Sequence, residues 1–500
     1  MNPSSRFPLV RPLLAVVAVA IAALGLATQA HASKSQQSML QDDRLLQNSD
    51  PTVQTQALDT LKASGVKAVH TIILWNNLAP EPTKASVPSG VDLTNPATYN
   101  GDYATRVDRL VNGAQARGLQ VLMSIAGPAP RWAETCNSFE RSHYGREKGT
   151  CKPSAKLYGQ FVTAVAKRYS GTFPGVAKVR RFSIWNEPNL NSWISPQIIK
   201  ARGKKVSVGA KIYRDLVYAG TRALRANGHS HDQILLGETA PIGQGSSRTT
   251  PVLFYQTLFC INSKGRRLGG VIGKNAGCKK RMRRLDVNGV AHHPYTKRAV
   301  QTPLAKQRST DVTMANLGTL SKVLKQGVHR RMLKSSATGL YLTEYGVSSR
   351  PPAKTGYGVS LSRQAEWINE FEYLAYKNRK VKTVTQFQLE DDSGLSKTKT
   401  FQTGLRFAGG KDKPAFAAYL VPLFVQNRGK KFTVWGGVRG KSGRVTIFNG
   451  KKKIKTVRLH RGYFMTTVKK RRGHWRLEYK SGGVTLKSRS ASARRLPKGH

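Results

Sequence analysis

Residues 179–189 read VRRFSIWNEPN, a short β-rich run that breaks off in asparagine, glutamate and proline. Proline has no N–H to give to a ladder, so a strand entering this stretch must stop there. Runs of the same texture recur on both sides, at 66–75, 119–125, 233–238, 285–292, 340–344 and 381–389, with a weaker one at 39–46. Between them lie segments of helical period, at 107–116, 154–169, 211–226, 312–325 and 362–376. In the last of these Ala365, Ile368, Phe371 and Glu372 fall on one face. Apolar strands alternating with helices predict a parallel sheet buried on both sides. Eight such units fit an α/β fold of the (β/α)8, or TIM, barrel type over residues 33–422. A doubly wound open sheet is the competing architecture, but no glycine-rich phosphate turn follows the first strand.

After residue 421 the texture changes. Residues 421–500 hold 23 Lys+Arg and a single acid, Glu478. Short alternating runs separated by glycine or basic turns predict a small antiparallel β-sandwich over 423–490. The stretch 491–500 reads as a basic disordered tail.

The whole chain carries 83 Lys+Arg against 26 Asp+Glu, a formal charge of +57. That balance excludes a carboxylate-rich calcium cage, and no cofactor or metal site is expected. It points to an anionic partner, such as a cell-envelope polymer, held by charge. Nucleic acid is not expected, because no binding module and no interleaved aromatic platform accompany the basic residues. Arg6 and Arg11 precede an apolar run over 13–27, and Ala30-His31-Ala32 offers a small-x-small cleavage site. This is the pattern of a signal peptide over 1–32, too short to span a bilayer. The mature chain is therefore expected to be secreted, with no membrane span. Four cysteines agree with export: the local pairs Cys136–Cys151 and Cys260–Cys278 are favoured over a four-cysteine zinc site, since neither pair has CxxC spacing.

In so basic a chain each carboxylate is worth locating. Of the 12 glutamates, Glu187, Glu238, Glu344 and Glu390 end strands, and barrel chemistry sits at the C-terminal strand ends. Glu187 closes the fourth strand and Glu344 the seventh, so both face the same central space. Two carboxylates across a sugar-sized gap suit glycosidic cleavage, in which one donates a proton and the other attacks or activates water. Glu238 reads as a supporting or loop-fixing group. Glu390, Asp391 and Asp392 read first as partners for nearby Lys and Arg. Asp42 and Asp43 stay open. Trp75 and Trp193 are candidates for stacking on sugar rings, whereas Trp185 reads as core.

The motif IWNEPN (184–189), followed by LTEYG (342–346), resembles the clan A glycoside hydrolases, most of all families 5 and 39. That resemblance implies a barrel enzyme cleaving mostly β-linked glycosides with retention. It makes Glu187 the acid/base, Asn186 the group binding the sugar 2-hydroxyl, and Glu344 the nucleophile. His292-His293-Pro294-Tyr295 resembles the His-x-Tyr segment after strand six, which places Tyr295 against the nucleophile and His293 in the same subsite. There are two departures: His70 stands where arginine is common in strand two, and the eighth strand ends in Gln388-Leu389-Glu390 without a tryptophan. The expected activity is that of a secreted O-glycosyl hydrolase acting on a carbohydrate. The alternative is a non-catalytic polysaccharide or envelope binder on the same scaffold, for which loss of a catalytic carboxylate would be the sign.

Overall fold

The computed structural model describes residues 36–99, 101–145, 148–393 and 401–497. The signal peptide expected over 1–32 lies outside the described residues. Eight parallel strands close into a barrel in chain order. They are β1 (Gln37–Gln41), β2 (Ala68–Leu74), β3 (Gln120–Ala126), β4 (Arg181–Ile184), β5 (Gln233–Thr239), β6 (Gly289–His292), β7 (Leu340–Leu342) and β8 (Val381–Phe387). β1 pairs with both β2 and β8, which excludes the open sheet. The ring is covered by α1 (Pro51–Ala63), α2 (Asp102–Ala116), α3 (Ala155–Arg168), α4 (Gly209–Ala226), α5 (Pro251–Leu258), α6 (Leu317–His329), α7 (Leu361–Lys377) and α8 (Pro414–Leu420). The weak first run divides: its strand ends at Gln41, and Asp42 caps a one-turn helix, Asp43–Leu46. Asp42 also closes the seam, its carboxylate accepting the backbone N–H groups of Leu389 at 3.0 Å and Glu390 at 3.1 Å.

Side-chain alternation decides what fills the barrel. Met39, Ala68, Leu122, Leu235 and Ala291 form an apolar layer in the lumen. Two residues further along each strand, the same inward face carries Gln41, His70, Ser124 and His293, all buried. β5 breaks this parity. Its register against β6 shifts between Gly237 and Thr239, and Glu238 adopts φ 77. The bulge sends Thr239 outward to His292 on the helix side, at 2.9 Å, and turns Glu238 into the lumen.

The C-terminal unit holds seven strands in two antiparallel sheets: β9 (Leu423–Asn427), β10 (Lys431–Gly437), β11 (Arg444–Asn449), β12 (Lys452–Arg458), β13 (Tyr463–Lys469), β14 (Trp475–Ser481) and β15 (Val484–Lys487). The sheet orders are β9-β10-β13 and β12-β11-β14-β15. Trp475, Leu477, Val434, Val445 and Ile447 meet between them. The expectation of a loose tail from residue 491 fails over its described part. Ala491 is buried and bridges to Trp475, and Arg494 bridges to Gln426. Arg494 then reaches Glu366 and Glu370 of α7, each at 2.9 Å. Further along α7, Glu372 takes Arg439 at 2.6 Å, and the Arg439 guanidinium lies 3.6 Å from the centre of the Tyr419 ring. Arg494, which looks like part of a solvated tail in sequence, is thus a counter-ion for α7.

Both cysteine pairs are disulfides, Cys136–Cys151 and Cys260–Cys278, with Cα separations of 5.8 and 5.5 Å. The zinc alternative is excluded. Among the described residues no helix is long and apolar enough to cross a membrane.

Candidate active site

A cleft of about 630 Å³ opens at the C-terminal ends of the strands, and Asn186, Glu187, Trp193, Tyr295, Glu344 and Phe387 line it. The NEP turn after β4 is built from left-handed backbone at Trp185 (φ 67) and Glu187 (φ 36), conformations that non-glycine residues adopt at a cost. The turn buries Trp185 in the core, as its sequence context suggested, and leaves Asn186 and Glu187 facing the cleft. The Trp185 ring also explains Gly127 at the end of β3, where a Cβ would sit 2.3 Å from the indole. The Glu187 N–H donates to the Glu238 carbonyl at 3.1 Å, which ties the ends of β4 and β5 together.

Glu187 and Glu344 meet at one imidazole. His293 Nδ1 lies 3.1 Å from Glu187 Oε1 and 3.5 Å from Glu344 Oε2. The two carboxylate oxygens are therefore at most about 6.6 Å apart, the sum of those distances. Tyr295 Oη donates to Glu344 Oε2 at 3.2 Å. Burial and, after the opposing pull of His293, the nearby Glu187 charge push Glu344 up to about 7. Two carboxylates this close resist ionising together, which adds to the rise on Glu344. Asn186 is buried and its Oδ1 has no hydrogen-bond partner among the described residues.

Trp193 is half-exposed on the cleft wall and keeps its candidacy as a platform. Trp75 does not. It is fully buried, stacked on Phe161 with ring centres 5.4 Å apart and edge-on to Trp132 and Tyr158. Its place at the end of β2 turns it toward the helices, and it belongs to the core.

The missing tryptophan of strand eight has a replacement that sequence reading passed over. Phe387 ends β8 on the inward face, 6.5 Å from the Tyr295 ring, and Phe401 packs edge-on against it at 5.1 Å while lining the same cleft. The alternation of β8 alone put Phe387 inside. The acidic cluster behaves partly as expected. Asp391 pairs with buried Lys413 at 2.6 Å and Glu390 with Arg44 at 3.8 Å, whereas Asp392 accepts from Gln388 at 2.5 Å at the cleft edge. Asp43, also on the cleft wall, accepts from Thr71, Gln47 and the Ile72 N–H.

With strand-end carboxylates, aromatic walls and this topology in view, the sequence comparison points the same way. Residues 33–261 match the model of the cellulase family, glycosyl hydrolase family 5. That matched segment is a glycoside hydrolase family 5 domain, of clan A. Among solved structures it is similar to a family 39 glycoside hydrolase from Bacteroides cellulosilyticus WH2, at 13% identity and TM-score 0.48, over 88% of this chain and 82% of that one. A glucosidase from Croceicoccus marinus is similar over 82% of this chain and 76% of that one, at 13% identity and TM-score 0.47. An exo-β-1,4-mannosidase from an Opitutaceae bacterium, strain TAV5, gives 13% identity and TM-score 0.44 over 77% and 58% of the two chains. A search of the curated proteins finds no match.

Proposed function

We propose that this glycoside hydrolase is a secreted retaining β-glycosidase with Glu344 as nucleophile and Glu187 as acid/base. The observation that carries the reading is the shared contact with His293 Nδ1, which keeps Glu187 Oε1 and Glu344 Oε2 within about 6.6 Å, short of nearly all of the inverting range. Retention needs carboxyl groups about 5–5.5 Å apart, whereas inversion leaves room for a water at about 6.5–9.5 Å.

Tyr295 and His293 both lie against Oε2 of Glu344, so Oε1 is the oxygen free to attack the anomeric carbon. As the new C–O bond forms, the bond to the leaving oxygen breaks and Glu187 gives that oxygen its proton. The glycosyl ester on Glu344 is then opened by water, which loses a proton to Glu187, and Glu344 leaves as a carboxylate. The donor from Tyr295 favours the ionised form of Glu344, the form that attacks. Asn186, with an unpartnered side-chain oxygen at the same wall, takes the sugar 2-hydroxyl, and Trp193, Phe387 and Phe401 supply the apolar surface for the ring. Export through the 1–32 segment and salt-sensitive adhesion to an anionic envelope polymer complete the reading.

The test is hydrolysis of a panel of aryl β-glycosides (glucoside, xyloside, mannoside, galactoside, arabinoside), with the anomer of the first product read by NMR. Retained configuration is expected. Inverted product would end the nucleophile assignment, and no turnover on any glycoside would end the glycosidase reading.

A further inference from the structure

Behind the reacting pair the lumen holds a second buried ionic group. Glu238 is fully buried, and both of its oxygens face imidazoles: Oε1 lies 3.3 Å from His70 Nε2, and Oε2 lies 3.6 Å from His293 Nε2. Ser124 donates its hydroxyl to Glu238 Oε1 and also lies 2.8 Å from His70 Nε2. The other His70 nitrogen, Nδ1, faces the Thr343 carbonyl at 3.0 Å, an oxygen that can only accept. The single Ser124 hydrogen serves the carboxylate, so both His70 nitrogens are left to donate. His293 differs: Nδ1 lies 3.1 Å from Glu187 and 3.5 Å from Glu344, whereas Nε2 is 3.6 Å from Glu238 Oε2, an ion-pair distance without a hydrogen bond.

Charge balance gives the same answer. A buried carboxylate without a partner is costly, and three in one cluster cost more. With one proton on the Glu187–Glu344 pair, two negative charges remain, one on Glu238 and one on the pair, and two imidazolium ions balance them.

We propose that Glu238 is a positioning residue: its carboxylate holds His70 as an imidazolium ion and shares with Glu344 and Glu187 in holding His293 as one, and these two cations set the charge of the Glu187–Glu344 pair. The proposal rests on the glycosidase reading above for its kinetic consequence, but the protonation it assigns stands on geometry alone.

The surroundings are consistent with it. Burial alone would push Glu238 up, yet the two histidines hold it well below the usual carboxylate range. Burial opposes the charge on His70, and Glu238, with Glu344 and Asp43 behind it, outweighs it; His293 is raised against burial by Glu344, Glu187 and Glu238. The other groups facing the cluster are Asp43 after β1, His292 at the end of β6, Tyr295 after it, and Tyr213 of α4, whose hydroxyl accepts from the Gly237 N–H at 2.6 Å. His292 is not part of the charge, since burial on the helix side pushes it down to about 3. On Glu344 the pull of His70 exceeds the push of Glu238, so losing Glu238 together with the His70 charge leaves Glu344 harder to ionise.

The test combines 15N NMR of the histidine-labelled full chain with pH–rate profiles of wild type and Glu238→Gln. His70→Gln and His293→Gln serve to assign the ring signals. In wild type at pH 7 both rings are expected as imidazolium, and in Glu238→Gln the His70 ring becomes neutral while His293, still facing Glu344 and Glu187, keeps its charge. The bell of kcat/KM then moves to higher pH by about 1 unit, as expected for loss of a nearby opposite charge. A neutral His70 ring in wild type would overturn the proposal, and that measurement holds even if the variant does not fold. A His70 ring still charged in Glu238→Gln, or a bell that only loses height, would overturn it too. Charged rings in a chain with no activity on any glycoside would count against the glycosidase reading and not against the protonation of His70 and His293.

Discussion

Tyr295 Oη donates to Glu344 Oε2 at 3.2 Å, while the Tyr295 ring sits 6.0 Å from Tyr345, the residue after Glu344. The hydroxyl is thereby fixed by packing as well as by its hydrogen bond. Tyr295→Phe keeps the packing and removes the donor. A hydrogen bond to a charged group contributes about 1.5–3 kcal/mol, so kcat/KM should fall about 10- to 150-fold. The donor stabilises ionised Glu344, so its loss makes the first ionisation of the pair harder and moves the acid limb of the pH profile upward. An acid limb that stays in place would refute this role.

Burial, opposed by His293 and seconded by the Glu187 charge, pushes Glu344 up to about 7. Below that value its carboxyl holds a proton and does not attack, and above it the nucleophile is ionised. The acid limb of kcat/KM should therefore rise as pH rises through about 7. Measurement of kcat/KM from acid to alkaline pH checks this, and a rate already level well below neutrality contradicts it.

Glu344→Gln and Glu187→Gln should each abolish nearly all turnover, but in different ways. Glu187→Gln lacks only the proton donor, so substrates whose leaving group needs no proton, such as activated aryl glycosides, should recover part of the rate. Glu344→Gln should recover none. Equal recovery in both variants would reverse or remove the two assignments.

The aromatic residues separate by what they touch. Trp193→Ala should raise KM about 2- to 10-fold through loss of one aromatic contact, with the thermal midpoint little changed. Trp75→Phe should do the opposite: a stability loss of about 0.5–3 kcal/mol from a fully buried stack, with KM unchanged. A KM effect at Trp75 would contradict its burial.

Arg439→Ala should destabilise the chain by about 3–5 kcal/mol, because it leaves the Glu372 carboxylate buried and unpaired. Calorimetry should show barrel and sandwich melting together. Two separate transitions would mean that the α7 contacts do not couple them.

Much of this was legible in the chain. The eight strands announced themselves by length and spacing, Glu187 and Glu344 were candidates by their places at strand ends, and His293 and Tyr295 entered only through the family resemblance. What escaped depends on three-dimensional phase. The inward turn of Glu238 needs a one-residue bulge in β5, which no alternation pattern in the QILLGET run declares. Trp75 ends a strand as a platform residue would, yet the backbone there starts a short helix, Trp75–Leu78, that rotates its ring into the core. β9 went unread because its apolar run, LFVQN, follows directly on α8, and the residues from 491 onward because their binding partners lie on α7 over a hundred positions earlier.

α7 has an uncommon property for an outer barrel helix: nearly every residue from Gln364 to Tyr376 is buried. One side packs through Phe371 onto Tyr345, beside the nucleophile candidate, and the other grips the sandwich through Glu370, Glu372 and Tyr373. A helix clamped on both sides leaves no hinge. The sandwich is a fixed arm, so any surface to which its basic strands adhere is held at a set distance and angle from the cleft, like work held in a jig.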